Sequence, residues 1–159
     1  MRCLGAFSII SAALLAWRAY RAYLIEELAF VRAFLGALED YRRGVGCYLE
    51  PLSGWADSYL DERLSAVGFL DRLREGDAGA AYKAVRNRCY LQDKVDEILN
   101  YTFSRLGAGY LEGELTVLDD AIARLSREEK RIAEELSKRQ KVAGALLGAF
   151  AVGAVILVI

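Results

Sequence analysis

An uncharged apolar segment over residues 142–159 constrains this chain more than any other feature. It contains no charged side chain and no side chain that forms hydrogen bonds. As an α-helix rising about 1.5 Å per residue it would extend about 27 Å, close to the ~30 Å hydrocarbon core of a bilayer. A helix that is apolar on every face needs a large core or a membrane around it, and a chain of 159 residues cannot easily enclose one. The segment therefore predicts a C-terminal transmembrane helix.

A second apolar run, from Leu4 to Trp17, lies near the N-terminus. Its only polar side chains are Ser8 and Ser11, and a helix satisfies such hydroxyls with its own carbonyl groups. Arg18 follows directly, and its long side chain can carry the charge to the membrane interface. We predict an N-terminal transmembrane helix over residues 1–20. A signal peptide is the alternative, because a basic residue precedes the run, and the sequence leaves open whether the segment is cleaved.

Basic residues flank both predicted spans on the side of the central domain. Arg18 and Arg21 follow the first span, and Lys138 and Lys141 precede the second. Basic residues beside a span favour the cytoplasmic side of the membrane. The sequence therefore predicts a protein of the cell membrane in which residues 21–141 form a cytoplasmic domain and both termini lie outside.

Small residues recur four apart in both predicted spans. Gly144 and Gly148 do so in the second, and Ser8, Ala12 and Ala16 in the first. Small side chains let helix backbones approach closely where no hydrophobic effect drives association. These five residues are predicted to pack helix against helix, either within one chain or between subunits, which leaves a homo-oligomer open.

The apolar residues of the central domain recur three and four positions apart, which is the period of an amphipathic helix. Leu24, Leu28 and Val31 mark a first helix that continues from the first span to Glu50-Pro51. The last helix should run from 111 to 140 and on into the second span. Shorter helices are predicted over 52–60, 63–74, 78–87 and 91–106. The predicted fold is all-α: a cytoplasmic helical bundle, built on two long antiparallel helices, flanked by N- and C-terminal transmembrane helices.

The sequence offers little for catalysis or metal binding. It has no histidine, and Cys3, Cys47 and Cys89 are far apart without CxxC spacing. The cysteines are predicted to be buried or embedded in the membrane as small apolar residues. A net charge of −1 argues against a nucleic-acid partner. We therefore predict a protein that is not an enzyme and binds no cofactor, metal or nucleic acid.

Acidic residues of the last helix are the candidates for partner binding. Glu112, Asp119, Asp120 and Glu128 are expected to be exposed and to form a partner-binding face. Glu129 occupies the position between Leu125 and Ile132 where the apolar heptad expects another apolar residue. It is predicted either to fix the register of the long helices or to face water near the membrane.

The whole chain resembles the stage III sporulation protein AB family of endospore-forming bacteria. No single motif carries the resemblance, which rests on the order and spacing of several: Leu4-Gly5-Ala6, Gly46-Cys47-Tyr48-Leu49-Glu50-Pro51-Leu52, Leu106-Gly107 followed by Glu112 and Glu114, and Leu146-Leu147-Gly148. Tyr110 departs from the family pattern, which often has an aspartate there to cap the last helix. Tyr82 stands where the family tends to have tryptophan, a conservative change for packing.

The resemblance implies a scaffold rather than an enzyme. The family belongs to the channel complex that links mother cell and forespore, and its soluble part is similar to the cytoplasmic helical domain of the type II secretion system F protein. It implies docking of a cytoplasmic sporulation ATPase and contact with other subunits of the same complex. Two alternatives stay open. One is a platform subunit of a pilus or secretion apparatus, which usually has two copies of the helical domain. The other is a membrane-anchored helical adaptor.

Overall fold

The computed structural model describes the backbone of residues 2–49, 51–107 and 111–158, and the side chains of 15–49, 51–107, 111–143 and 145. Within these ranges the regular structure is entirely helical, which confirms the all-α prediction. The helices are α1 (Arg2–Tyr48), α2 (Leu52–Ser58), α3 (Glu62–Ala66), α4 (Phe69–Leu73), α5 (Ala78–Val85), α6 (Asp93–Phe103) and α7 (Leu111–Val158), with a 3-10 turn at Arg86–Arg88 between α5 and α6.

The long helices α1 and α7 pack against each other in antiparallel orientation. Their hydrogen-bonded partners run in opposite directions: Tyr20 meets Glu135, Arg32 meets Glu129, and Tyr41 meets Glu114. The apolar stripes predicted from the sequence face inward, since Leu24 and Val31 of α1 and Leu118, Leu125 and Ile132 of α7 are completely buried. Both helices are unbroken, as the sequence predicts, because each apolar stripe continues without an internal proline.

An aromatic cluster at the centre joins the short helices to α1. The Phe34 ring of α1 lies 5.3 Å from Phe69, 5.8 Å from Tyr82 and 5.9 Å from Phe103, measured between ring centroids. Such spacings, with rings tilted or edge-on, are those that aromatic pairs prefer. The Tyr82 hydroxyl donates a hydrogen bond to Asp96 Oδ1 at 2.8 Å. The cluster therefore fixes α4, α5 and α6 against α1.

Gly68 divides the single helix predicted over 63–74 into two. Its backbone lies in the left-handed region at φ 76°, which ends α3 and starts α4. Glycine adopts this conformation at no steric cost. The prediction was wrong because Leu64, Val67 and Leu70 keep helical spacing across the glycine, and all three face the core. Helical spacing alone does not reveal the turn between them.

The predicted spans, 1–20 and 142–159, lie largely outside the described side chains. Of the small residues predicted to pack there, Ser8, Ala12, Gly144 and Gly148 fall outside them, whereas Ala16 is described and is exposed. Among the described residues, no helix has the length and apolarity needed to cross a membrane. The transmembrane helices and their packing stay predictions.

Candidate partner-binding surfaces

The four acidic residues predicted to bind a partner differ in exposure and in their partners within the chain. Glu112 is exposed in the first turn of α7. Asp119 accepts two hydrogen bonds from Arg42 of α1, one of them at 3.1 Å, and these hold the pKa of its carboxyl below the usual range. Asp120 pairs with Arg124 one turn along the same helix. Two of the three exposed carboxylates are thus already occupied within the chain.

Glu128 is buried, so the expectation that it is exposed was wrong. Its side chain is 6% exposed and forms ion pairs with Lys94 of α6 and, at 2.7 Å, with Arg131. Burial raises the pKa of Glu128, but the hydrogen bonds from Lys94 and Arg131 outweigh this, and the pKa lies below its ordinary value. Glu128 points toward α6 and joins α6 to α7 instead of facing a partner.

Glu27, which the sequence did not single out, is completely buried on the inner face of α1. Its carboxylate accepts a hydrogen bond from the backbone N–H of Gln92 at 3.0 Å and another from Gln92 Nε2 at 2.8 Å. Burial raises the pKa of Glu27, and the hydrogen bonds from Gln92 and the nearby Arg131 oppose that rise. The helical spacing from Leu24 to Val31 was a signal for this burial, because position 27 lies within the same apolar stripe.

A polar network passes through Gln92 and connects three helices. Gln92 donates to Glu27 of α1, and its Oε1 accepts from Arg131 Nη2 of α7 at 2.9 Å. Arg131 in turn pairs with Glu128, which also pairs with Lys94. Every buried side-chain nitrogen and oxygen in the described part of the chain has a hydrogen-bond partner. This arrangement fixes α1, α7 and the first turn of α6 relative to one another, because a shift of one helix along another would separate the hydrogen-bonded groups.

Glu129 lies between α1 and α7 rather than at a frayed edge. Its Oε1 accepts from Arg32 Nε at 2.8 Å, and its side chain is 20% exposed. The position agrees with the interpretation that Glu129 sets the register of the long helices.

Exposed apolar residues lie at the end of the bundle where α1 ends and α7 begins. Tyr48 and Leu49 are 78% and 70% exposed, and Leu111 is 40% exposed. Leu49 has a φ of 55°, a conformation that costs a residue with a side chain about 1–2 kcal/mol. We call Tyr48, Leu49, Leu111 and Glu112 the tip surface. It lies at the end of the bundle opposite to residues 20 and 141.

A groove of about 810 Å³ runs between α6 and α7 on the outside of the bundle. We call it the α6–α7 groove. Its lining combines basic, polar and aromatic side chains: Lys94, Glu97, Ile98, Asn100, Tyr101, Ser104, Arg124, Arg127 and Glu128. The groove is open to solvent, and Tyr101 is 46% exposed within it.

The two described cysteines differ in environment. Cys89 is buried, as predicted, and burial raises the pKa of its thiol to about 11. Cys47 is exposed next to the tip surface, so the prediction of burial was wrong for it. Within the described part of the chain, no group of three or more cysteine, aspartate or glutamate side chains is arranged to hold a metal ion.

No protein-family model, curated protein or solved structure matches the chain.

Proposed function

We propose that this protein is a membrane platform subunit of the channel complex between mother cell and forespore, required for endospore formation. Its central domain would lie in the mother-cell cytoplasm, between N- and C-terminal transmembrane helices, and would dock the sporulation ATPase. The family resemblance of the sequence supports this proposal. The helical bundle is the kind of domain that such a platform needs.

The pairing of α1 with α7 is the observation that supports the proposal most directly. Both helices run unbroken from the bundle into the apolar end segments, as Arg2–Tyr48 and Leu111–Val158. An uninterrupted helix is stiff over tens of ångströms, and the two are linked by Arg32–Glu129 and Arg42–Asp119. Movement imposed on the bundle would therefore pass to the membrane segments as one body.

The tip surface is our candidate for ATPase docking. It lies at the far end of the bundle from the predicted spans, where a cytoplasmic partner has free access. Exposed Tyr48 and Leu49 provide apolar area, and Glu112 adds a charge beside it. The left-handed backbone of Leu49 supports the assignment, because strained conformations concentrate at functional sites.

A deletion strain of an endospore-forming source organism tests the proposed role. Growth should be normal, and forespores should stall or shrink around engulfment when followed by microscopy. A defect in growing cells, or normal spores, would refute the sporulation role and leave a membrane-anchored adaptor or a platform subunit of another secretion apparatus.

Co-purification with the sporulation ATPase tests the docking surface. The double variant Tyr48→Ser, Leu49→Ser should lose the ATPase, because it removes exposed apolar area without touching the core. Leu60→Ser is the matched control. Leu60 is 86% exposed, but its neighbour Tyr59 lies beside Gly36 of α1, about 18 Å along the helix from Tyr48. Equal recovery of the ATPase with both variants would show that the tip surface is not the docking site.

A further inference from the structure

We propose that the α6–α7 groove binds an acidic segment of a partner protein that carries carboxylates next to an apolar or aromatic side chain. This inference goes beyond the proposed function, since it concerns a different surface from the tip and does not depend on the sporulation role. It rests on the charge of the groove, on the partners of its arginines, and on the exposed ring within it.

Two arginines have no carboxylate partner among the described residues: Arg127, which lines the groove, and Arg105, which lies beside the lining residue Tyr101. Arg127 donates from Nε to the backbone carbonyl of Ala123 in its own helix, and the Arg105 guanidinium lies 4.6 Å from the centre of the Tyr101 ring. Among the described residues, neither pairs with a carboxylate. Arg32, in contrast, is bound to Glu129 on the long-helix face. A guanidinium without an internal carboxylate can form a two-pronged pair with an external one.

The carboxylates near the groove should repel a bound anion only weakly. Glu128 is neutralised at the base of the groove by Lys94 and Arg131. Within the described residues, Arg124 pairs with Asp120 alone, one turn away, and this exposed pair contributes little stability. Glu97 is the acidic lining residue that stays exposed. With Arg105 at the edge, basic side chains outnumber acidic ones at this surface.

Tyr101 gives the groove an apolar contact as well as charge. Its ring is 46% exposed, and Ile98, one turn earlier in α6, also lines the groove and is 9% exposed. Aromatic side chains flanked by arginine are typical of the centre of protein–protein contacts. A segment that alternates carboxylates with an apolar side chain would satisfy the arginines and cover Tyr101 together.

The position of the groove favours a protein partner over a lipid headgroup. Arg127 lies 15 residues before Val142, which is about 22 Å along α7 from the predicted membrane boundary. The chain as a whole has a net charge of −1, which does not favour general binding of polyanions.

Binding of fluorescein-labelled peptides to the full chain in detergent tests the proposal. The probes are a set of twelve-residue peptides in which aspartate and glutamate alternate with one phenylalanine or leucine at varied positions. Fluorescence anisotropy should detect binding by members of the set, and Arg127→Glu should weaken it at least tenfold. The control variant is Arg72→Glu on α4, which makes the same charge change at an exposed position away from the groove. It should leave the affinity unchanged.

Several outcomes would overturn the inference. Absence of binding by every acidic peptide would do so, as would equal weakening by Arg127→Glu and Arg72→Glu, which would indicate unspecific attraction. Equal binding of peptides with lysine in place of the acidic residues would exclude charge recognition. Tighter binding of a single-stranded oligothymidine that Arg127→Glu abolishes would assign the groove to phosphate instead. Loss of affinity on Tyr101→Ala, with affinity retained for Tyr101→Phe, would support the aromatic contact.

Discussion

Replacement of Glu27 by alanine should destabilise the bundle by about 2–4 kcal/mol. The carboxylate accepts hydrogen bonds from the backbone N–H and the side-chain Nε2 of Gln92 in a completely buried position. Each donor left without an acceptor costs about 1–3 kcal/mol. The one lost methylene group adds about 0.8 kcal/mol. Release from the cost of burying a carboxylate offsets part of this sum.

Chemical denaturation of the full chain in mild detergent measures the effect, with the fluorescence of buried Trp55 as the signal. Glu39→Ala is the matched control, because Glu39 is an exposed glutamate on the same helix. It should change the free energy of unfolding by less than about 0.5 kcal/mol. A loss below about 1 kcal/mol for Glu27→Ala would refute the reasoning, because it would mean that Gln92 finds other acceptors without cost.

The pH dependence of Glu27→Gln gives a second readout of the same site. Burial raises the pKa of Glu27 above its ordinary value of 4.5. The folded chain therefore still holds the proton at a pH where the unfolded chain has released it. Stability of the wild type relative to Glu27→Gln should fall as the pH rises from 4.5 through the folded-state pKa. A constant difference across this range would contradict the raised pKa.

Three further predictions concern separate parts of the bundle. Glu128→Gln should lower the free energy of unfolding by about 1–2 kcal/mol at pH 7, as measured by urea unfolding. This loss should shrink as the pH falls below 4.5, because the wild-type carboxylate then takes up a proton and loses its ion pairs. A loss that does not change with pH would contradict the pairing. Gly68→Ala should lower the stability of the bundle by about 1–2 kcal/mol, because the backbone at Gly68 is left-handed. Gly113→Ala should raise it by up to about 1 kcal/mol, because Gly113 lies in a helix with open space for a methyl group. If both variants shift the midpoint of thermal unfolding in the same direction, the backbone conformation does not determine the effect of a glycine-to-alanine change here. A maleimide should modify Cys47 rapidly in the folded chain and Cys89 only after unfolding, as mass spectrometry of proteolytic fragments would show.

The sequence predicted the helices well where the apolar periodicity agrees with residues that typically end or cap a helix. Leu118, Leu125 and Ile132 of α7 recur seven apart and all lie in the core, and the pattern Glu75-Gly76-Asp77 is typical of a helix stop followed by a cap. In the structure Gly76 has a φ of 94° and Asp77 accepts a hydrogen bond from Ala80 N at 2.9 Å. These features are local, so a few neighbouring residues contain the information.

The polar network could not be predicted in the same way. Glu128 was predicted to be exposed, and Glu27 was not singled out, because charged residues are seldom buried without partners. Their partners are distant in sequence: Gln92 is 65 residues from Glu27, and Lys94 belongs to another helix than Glu128. Only the assembled fold brings the compensating groups together. The candidate surfaces likewise depend on which arginines pair within the chain, and among the described residues Arg127 bonds just to the backbone of its own helix.

The antiparallel arrangement of α1 and α7 has a consequence for synthesis. The contacts between them join residues as far apart as Arg32 and Glu129, separated by 97 positions. Ribosomes add about 5–20 residues per second, so α1 waits about 5–20 s for this part of its partner. The aromatic partners of Phe34 lie between residues 69 and 103 and emerge first. The bundle should therefore begin to assemble around Phe34 before α7 has emerged, and the inner stripe of α1 from Leu24 to Val31 stays uncovered on the nascent chain until the last helix packs against it.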